Sequence, residues 1–402
     1  MPVAPNTASS MIVRTATNPT YTIYNLGQNQ ILLGQDIISP GQLGSDFNFA
    51  SPGAVMWDFP QNNLDLWVSH PTTVFGLPVT ELVIYNISGN TITNTNSWGY
   101  SGQDWLVQGL GYFFKDPSLG QADLLQRRVQ PDNTATYVIE RVENNQWQHT
   151  TVAANVGANF TTAGLGAYFT LSGSTFAQLM VLSDSAGGLW GYAYSNGALV
   201  NDPNQVFATI GNGHDWEVLG FGHFNSEFGL TMLVRNIDSR SANFQQVWIY
   251  DVVQTGNNYA AQLSTAEQPA GQNPGVLGAI GQEWKVAGIA PLNVDLFPTN
   301  LVTDDLVMRN TNTGALQVYD IQADRLTGSA ALTPPASNPI AATSTVGGMA
   351  IDLSAQASGS TSQLVQAMAG FDGGSGAGES SNTAPLSAET SQQPLLTTPQ
   401  HA

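Results

Sequence analysis

Short apolar, β-favouring runs recur along the chain, separated by turns rich in Gly, Asn, Pro and Thr. One set reads Ser10-Met-Ile-Val-Arg14, Asp65-Leu-Trp-Val-Ser69, Asp123-Leu-Leu-Gln-Arg127, Gln178-Leu-Met-Val-Leu182, Thr231-Met-Leu-Val-Arg235 and Asp305-Leu-Val-Met-Arg309. Runs this short and this apolar predict strands buried at the centre of a sheet. A second set follows at Thr22–Leu26, Val83–Ile87, Tyr137–Val142, Trp248–Val252 and Val318–Ile321, with Trp190–Tyr194 in the blurred fourth place. Ahead of the first set stands a phrase of the form aromatic-x-Val-x-Gly-x-Gly. It is clearest in Trp105-Leu-Val-Gln-Gly-Leu-Gly-Tyr-Phe113, Trp216-Glu-Val-Leu-Gly-Phe-Gly-His-Phe224 and Trp284-Lys-Val-Ala-Gly288. Positions 47 and 65, 105 and 123, and 160 and 178 are equally spaced. A weaker fourth run, such as Thr91-Ile-Thr93 or Leu326–Ala330, closes each unit. A phrase recurring about every 55 residues marks a propeller or an array. Four strands in each of six units predict an all-β fold, a six-bladed β-propeller of four-stranded antiparallel sheets.

The units start near residues 10, 65, 123, 178, 231 and 305, which gives a propeller over 1–353. The first unit lacks a first strand, and 346–351 (Val-Gly-Gly-Met-Ala-Ile) has the character of one. Its addition to the N-terminal blade would close the ring and leave no free sheet edge. Residues 354–402 change to Ser, Gly, Gln, Thr and Ala, a composition that predicts a disordered tail. A short helix over 362–371 would place Leu364, Val365, Met368 and Phe371 on one side.

Charge narrows the function classes. Lys and Arg number 10 against 29 Asp and Glu, for a net charge of −19. That balance opposes nucleic acid and anionic membranes, which are held by cationic side chains. It suits a chain kept soluble outside a cell. With no cysteine, thiolate chemistry, disulfides and Cys-ligated zinc are excluded. No apolar run is long enough to span a membrane, and residues 1–11 lack a signal-peptide pattern. Export without a cleaved N-terminal signal, through the tail as in type I secretion, is the expectation.

These units resemble the FG-GAP/VCBS-type repeat family, and are similar to extracellular repeat proteins of rhizobial bacteria. Asp305 to Asn310 and Val318 to Ile321 match the pattern most closely. Gln363-Leu-Val-Gln-Ala-Met-Ala-Gly-Phe371 and the stretches after Asn382 and Ser391 look like the ending common in that group. The resemblance implies a propeller, often a ligand-binding or adhesive module, sometimes with calcium in the loop after the first strand. The leading Asp of such a calcium loop is replaced here by Tyr112, His223 and Pro291. Only Asp116, Asn225 with Glu227, and Asn293 with Asp295 remain as oxygen donors. No cofactor is expected, with Ca2+ the one open candidate, and no metal-binding residue is assigned.

Candidate chemistry is thin. Arg14, Arg127, Arg235 and Arg309 hold one repeat position, either as a ring of anion-binding groups or as partners for strand-end carbonyls. Trp105, Phe160, Trp216 and Trp284 either stack sugars or pack between blades. Trp57, Trp67, Trp98, Tyr100, Trp147, Trp190, Tyr192 and Tyr194 would be carbohydrate contacts where exposed. His70, His149, His214, His223 and His401 form no metal-ligand spacing. Asp304-Asp305 sits at a strand start, where the repeat accounts for the second carboxylate, so it does not read as a glycosidase pair. No catalytic or cofactor-binding residue is assigned.

The reading is therefore a non-enzymatic propeller, secreted or surface-associated, that binds a protein or carbohydrate partner. Residues 71–81 and 263–281 read as long loop insertions where specificity would sit. The alternatives are an extracellular glycan-acting enzyme with its site in the channel, and a self-assembling surface component.

Overall fold

The computed structural model describes residues 9–14, 21–36, 48–53, 64–88, 90–114, 123–143, 146–169, 176–201, 206–210, 215–225, 229–266, 268, 273–292, 303–334 and 345–351. The tail over 354–402, with the helix expected at 362–371, lies outside the described residues.

Every element among the described residues is a strand, and these strands form six antiparallel sheets. Blade 1 holds β1 (Ser9–Arg14), β2 (Tyr21–Gly27) and β3 (Gln30–Asp36). Blade 2 is β4 (Asn48–Gly53), β5 (Leu64–Val74), β6 (Leu77–Ser88) and β7 (Thr91–Gly102). Blade 3 is β8 (Trp105–Gly111), β9 (Asp123–Val129), β10 (Thr134–Glu143) and β11 (Gln146–Gly157). Blade 4 is β12 (Thr161–Phe169), β13 (Phe176–Ser183), β14 (Gly188–Ser195) and β15 (Ala198–Leu199), with β16 (Val206–Thr209) also on β14. Blade 5 is β17 (Trp216–Gly222), β18 (Thr231–Asn236), β19 (Gln246–Thr255) and β20 (Asn258–Leu263), with β21 (Val276–Ala279) also on β19. Blade 6 is β22 (Trp284–Ala290), β23 (Asp305–Asn310), β24 (Leu316–Gln322) and β25 (Arg325–Leu332).

The ring closes through β26 (Thr345–Ile351), which pairs with β1 from Ser9↔Ile351 to Arg14↔Thr345. It is thereby the inner strand of blade 1. Contacts between inner strands run β26 to β4, β8, β12, β17, β22 and back to β26. The result is a six-bladed propeller.

Period-two geometry explains how one strand serves two neighbours. On β1, Met11 and Val13 pack with Ala287, Leu292 and Val307 of blade 6, while Ile12 packs with Leu66 and Val68 of blade 2. The same division holds at the other four seams. The core is thus six apolar seams rather than one centre. Second strands meet apolar neighbours on both faces, so they read as unbroken apolar runs.

The Val-x-Gly phrase has a geometric cause. In each inner strand from β4 to β22 the register with the next strand shifts once, skipping Ala50, Gln108, Ala163, Leu219 and Ala287. A β-bulge of this kind bends a strand and increases its twist. The residue after the skipped one is Ser51 in β4 and glycine in the other four, and at Gly164 and Gly220 the missing side chain lets the next blade approach. A Cβ on Gly164 would lie 2.7 Å from the Phe221 ring, and one on Gly220 would lie 2.6 Å from Ile289 Cδ1.

Two expectations need correction. Residues 71–81 are not a loop: β5 and β6 stay paired from His70↔Glu81 to Val74↔Leu77 and form an arm. Residues 263–281 include β21, whose backbone hydrogen bonds to β19 need no repeat phrase.

Candidate functional site

The arm is the feature that sets blade 2 apart. Among the described residues inner strand β4 reaches only as far as Ser69, and His70 to Glu81 extend beyond it as a paired hairpin. Five residues per strand correspond to roughly 16 Å of projection. Strand β7 follows as far as Val79↔Gly102, which makes the base of the arm three-stranded. Phe75 and Gly76 form its tip, with φ of 51° and 78°. Two successive positive-φ residues make the tight primed turn whose twist matches the flanking strands.

The arm has two unlike sides. On one, His70 and Tyr100 both lie opposite Glu81. His70 Nε2 sits 2.8 Å from Glu81 Oε2, and Ser97 Oγ donates to Glu81 Oε1 at 2.6 Å. Tyr100 is 56% exposed beside them. On the other side, Gln126 of blade 3 reaches Ser101 Oγ at 3.4 Å. At the tip Phe75 is 101% exposed and Leu77 67%, an apolar pair that contributes nothing to the core. Exposed Leu106 and Val129 lie on blade 3.

The opposite end of the ring is built of inter-blade hydrogen bonds. Tyr112, His223 and Pro291 occupy one repeat position, just past the inner strand. Tyr112 N–H donates to Gln178 Oε1 of blade 4 at 2.8 Å, and His223 N–H donates to Asp304 Oδ2 of blade 6 at 2.7 Å. Proline has no N–H. At Pro291 the direction reverses, and Ser9 Oγ of blade 1 donates to its carbonyl at 2.7 Å. The next residue along, Phe113, Phe224 or Leu292, accepts from Gly197, Asp324 or Gln28 N–H, each in the following blade's outer turn. These positions serve as seams.

Burial sets the acid–base character here. Asp304 is pushed up to about 6 by desolvation, against the lowering effect of the His223 N–H. Asp305 lies well above the usual carboxylate range, through burial first and then the charge of Asp320. Its two oxygens accept from Leu292 and Ile321 N–H. Burial pushes His223 down to about 4, and its Nδ1 lies 2.9 Å from the Gly229 carbonyl.

Two of the repeated arginines, Arg127 and Arg235, bond backbone carbonyls. Arg127 donates to Ala158 O at 2.7 Å. Arg235, fully buried, donates to Gly281 O, Trp284 O and Glu217. Glu217 also takes Lys285 Nζ at 3.1 Å. Burial raises the Glu217 carboxyl, but Arg235 and then Lys285 outweigh it and hold it below its ordinary value. Phe160, Trp216 and Trp284 pack against the seam cores. Trp105 instead meets His149 edge-on at 6.2 Å, with Arg128 5.8 Å over its ring. Trp67 and Tyr194 are buried, Tyr192 joins a seam core, and Trp190 donates to Asp184 at 2.9 Å. His149 lies 2.6 Å from Glu140, whose carboxyl burial raises. His214, His401 and Trp57 lie outside the described residues, as do the side chains of Trp98 and Trp147. Among the described residues no three His, Cys, Asp or Glu are grouped to hold a metal. No helix among them is long and apolar enough to cross a membrane.

No family model matches the chain, and no curated protein matches it. Among solved structures it is similar to the SapL1 lectin in complex with α-methyl fucoside, at 12% identity and TM-score 0.41, over 83% of this chain and 99% of that one. It is similar to prolyl endopeptidases at 13% identity and TM-score 0.40, over 83% of this chain and 50% of theirs. A post-proline cleaving enzyme from Rickettsia typhi gives 10% identity and TM-score 0.35, over 77% of this chain and 42% of that one. None of these similarities bears on what this chain binds.

Proposed function

We propose that the chain is an FG-GAP/VCBS-type propeller acting outside the cell, a non-enzymatic binder that takes a protein partner on its blade-2 arm. The family reading is supported by where its phrases fall: Asp305 to Asn310 is strand β23, and Val318 to Ile321 lies within β24. The extracellular reading rests on the acidic, cysteine-free, lysine-poor composition.

One observation carries the binding site: Phe75 is fully exposed at the tip of a hairpin paired to its end. Water-exposed aromatic area at a fixed position suits a partner's apolar pocket, and a paired hairpin loses little entropy on docking. Tyr100 beside the Glu81 and His70 pair favours a second reading, in which the arm's side stacks a sugar.

A photocrosslinking residue at position 75 tests the first reading in culture, with one at Gly256 as control. A single defined protein adduct from position 75 alone supports it. Glycan-array binding that Tyr100→Ala abolishes would support the second instead, and neither result would reject the arm as the site.

A further inference from the structure

Two seams can be compared residue for residue. The outer turns of blades 1 and 6 are two-residue turns with positive φ at both places, Gln28-Asn29 (50° and 57°) and Ala323-Asp324 (48° and 59°). Asn29 Nδ2 donates to Asp320 Oδ2 of blade 6 at 2.9 Å. Asp320 follows the tyrosine of Val-Tyr-Asp-Ile, and Asp251 follows that of Ile-Tyr-Asp-Val in blade 5. Asp324 occupies the turn place of Asn29, and it lies in hydrogen-bond contact with Asp251. Asn90 and Asn257 hold this turn place in blades 2 and 5. Blade 6 has therefore put a carboxyl where three other blades have an amide.

An amide can donate to a carboxylate; a second carboxylate can do so only with a proton. Asp324 is 1% exposed. Its Oδ2 accepts from Ser264 Oγ at 3.0 Å, its carbonyl takes Gln268 Nε2 at 2.6 Å, and its N–H donates to Phe224 O. Asn225 Nδ2 reaches Asp251 Oδ1 at 3.5 Å. Beyond these stand His223 from blade 5, and Asp304, Asp305 and Asp320 from blade 6. Among the described residues no Lys or Arg is ion-paired with either carboxyl.

We propose that Asp324 carries a proton at neutral pH and shares it with Asp251, so that the seam between blades 5 and 6 is closed by a proton and loosens when that proton leaves. Burial, and after it the hydrogen bond with Asp251 and then its charge, push the Asp324 carboxyl up to about 8. A carboxyl raised in the folded state binds a proton that the unfolded chain has released. Its contribution is complete below the unfolded value near 4, declines as pH rises, and is gone above about 8.

Asp324→Asn restores the amide–carboxylate arrangement of the seam between blades 6 and 1. Unfolding of the native chain and of this variant is measured from pH 5 to 9. One proton predicts that the native folding constant falls by about tenfold per pH unit, relative to the variant, until it levels near pH 8. A carboxylic-acid band in the infrared difference between the native chain and the variant, lost near pH 8, is the second expected result; the other buried carboxyls are common to both and cancel. Should Asp324→Asn not fold, Asp251→Asn, which reverses the polarity of the pair, is expected to flatten the profile equally. Parallel pH profiles would overturn the proposal. So would a stabilisation by millimolar CaCl2 that either substitution abolishes, since a cation rather than a proton would then hold the pair.

Discussion

His223 and Asp304 hold each other by main chain and side chain across the seam between blades 5 and 6. His223 N–H donates to Asp304 Oδ2 at 2.7 Å, and Asp304 N–H returns a bond to His223 O at 3.1 Å. Neither imidazole nitrogen takes part in this clasp.

Asp304→Ala removes the acceptor from a buried N–H, and the loss is expected to be about 1–3 kcal/mol by chemical denaturation. Asp304→Asn keeps a carbonyl acceptor and should cost far less at pH 7. The native carboxyl is raised to about 6, above its unfolded value, so it favours folding below pH 4 and loses that contribution as pH rises towards 6. A stability profile flatter between pH 4 and 6 in Asp304→Asn is the matching result.

Arg235 is the most heavily bonded side chain at the other end of the seam, with Glu217 and two carbonyls on one buried guanidinium. Arg235→Met strands Glu217 in a half-buried place with only Lys285 left. A loss of about 3–5 kcal/mol is expected, well above that for an exposed ion pair such as Arg240 with Asp238. Thermal unfolding of the two variants, Arg235→Met and Arg240→Ala, makes the comparison.

Two turn glycines separate conformational cost from crowding. Gly256 has φ of 64° and open space around it, so Gly256→Ala carries only the left-handed penalty of about 1–2 kcal/mol. Gly197 has φ of 75°, and an added Cβ would lie 1.9 Å from the Phe114 ring. Gly197→Ala is expected to lose at least about 1–3 kcal/mol more. Equal losses in urea unfolding would contradict the packing drawn between blades 3 and 4.

The all-β, six-bladed plan was legible because its cause is local and recurs. The Val-x-Gly phrase records a bulge, and runs such as Asp305 to Arg309 record a strand buried on both faces. The arm was not legible: Pro71, Gly76 and Pro78 look like loop punctuation, yet only Phe75 and Gly76 turn. Strand β21 carries no repeat phrase, so nothing in its order announces its pairing with β19. His223 reads as a loop histidine, whereas the equivalence with Tyr112 and Pro291 marks a place the neighbouring blade grips through the backbone. That grip depends on which residue the following blade supplies, and a single unit's sequence does not contain it. The pairing of Asp251 with Asp324 is hidden for the same reason.

The pairing of Ser9 with Ile351 sets an order of events during synthesis. Blade 1 leaves the ribosome first, but its inner strand is among the last parts of the circle to appear. Until then three strands must wait with an open edge beside blade 2, and no partial chain can complete the circle. Moving the chain's break into a connection between two other blades would let blade 1 finish early and leave no sheet divided, whereas a break inside another blade would transfer the waiting edge to that sheet.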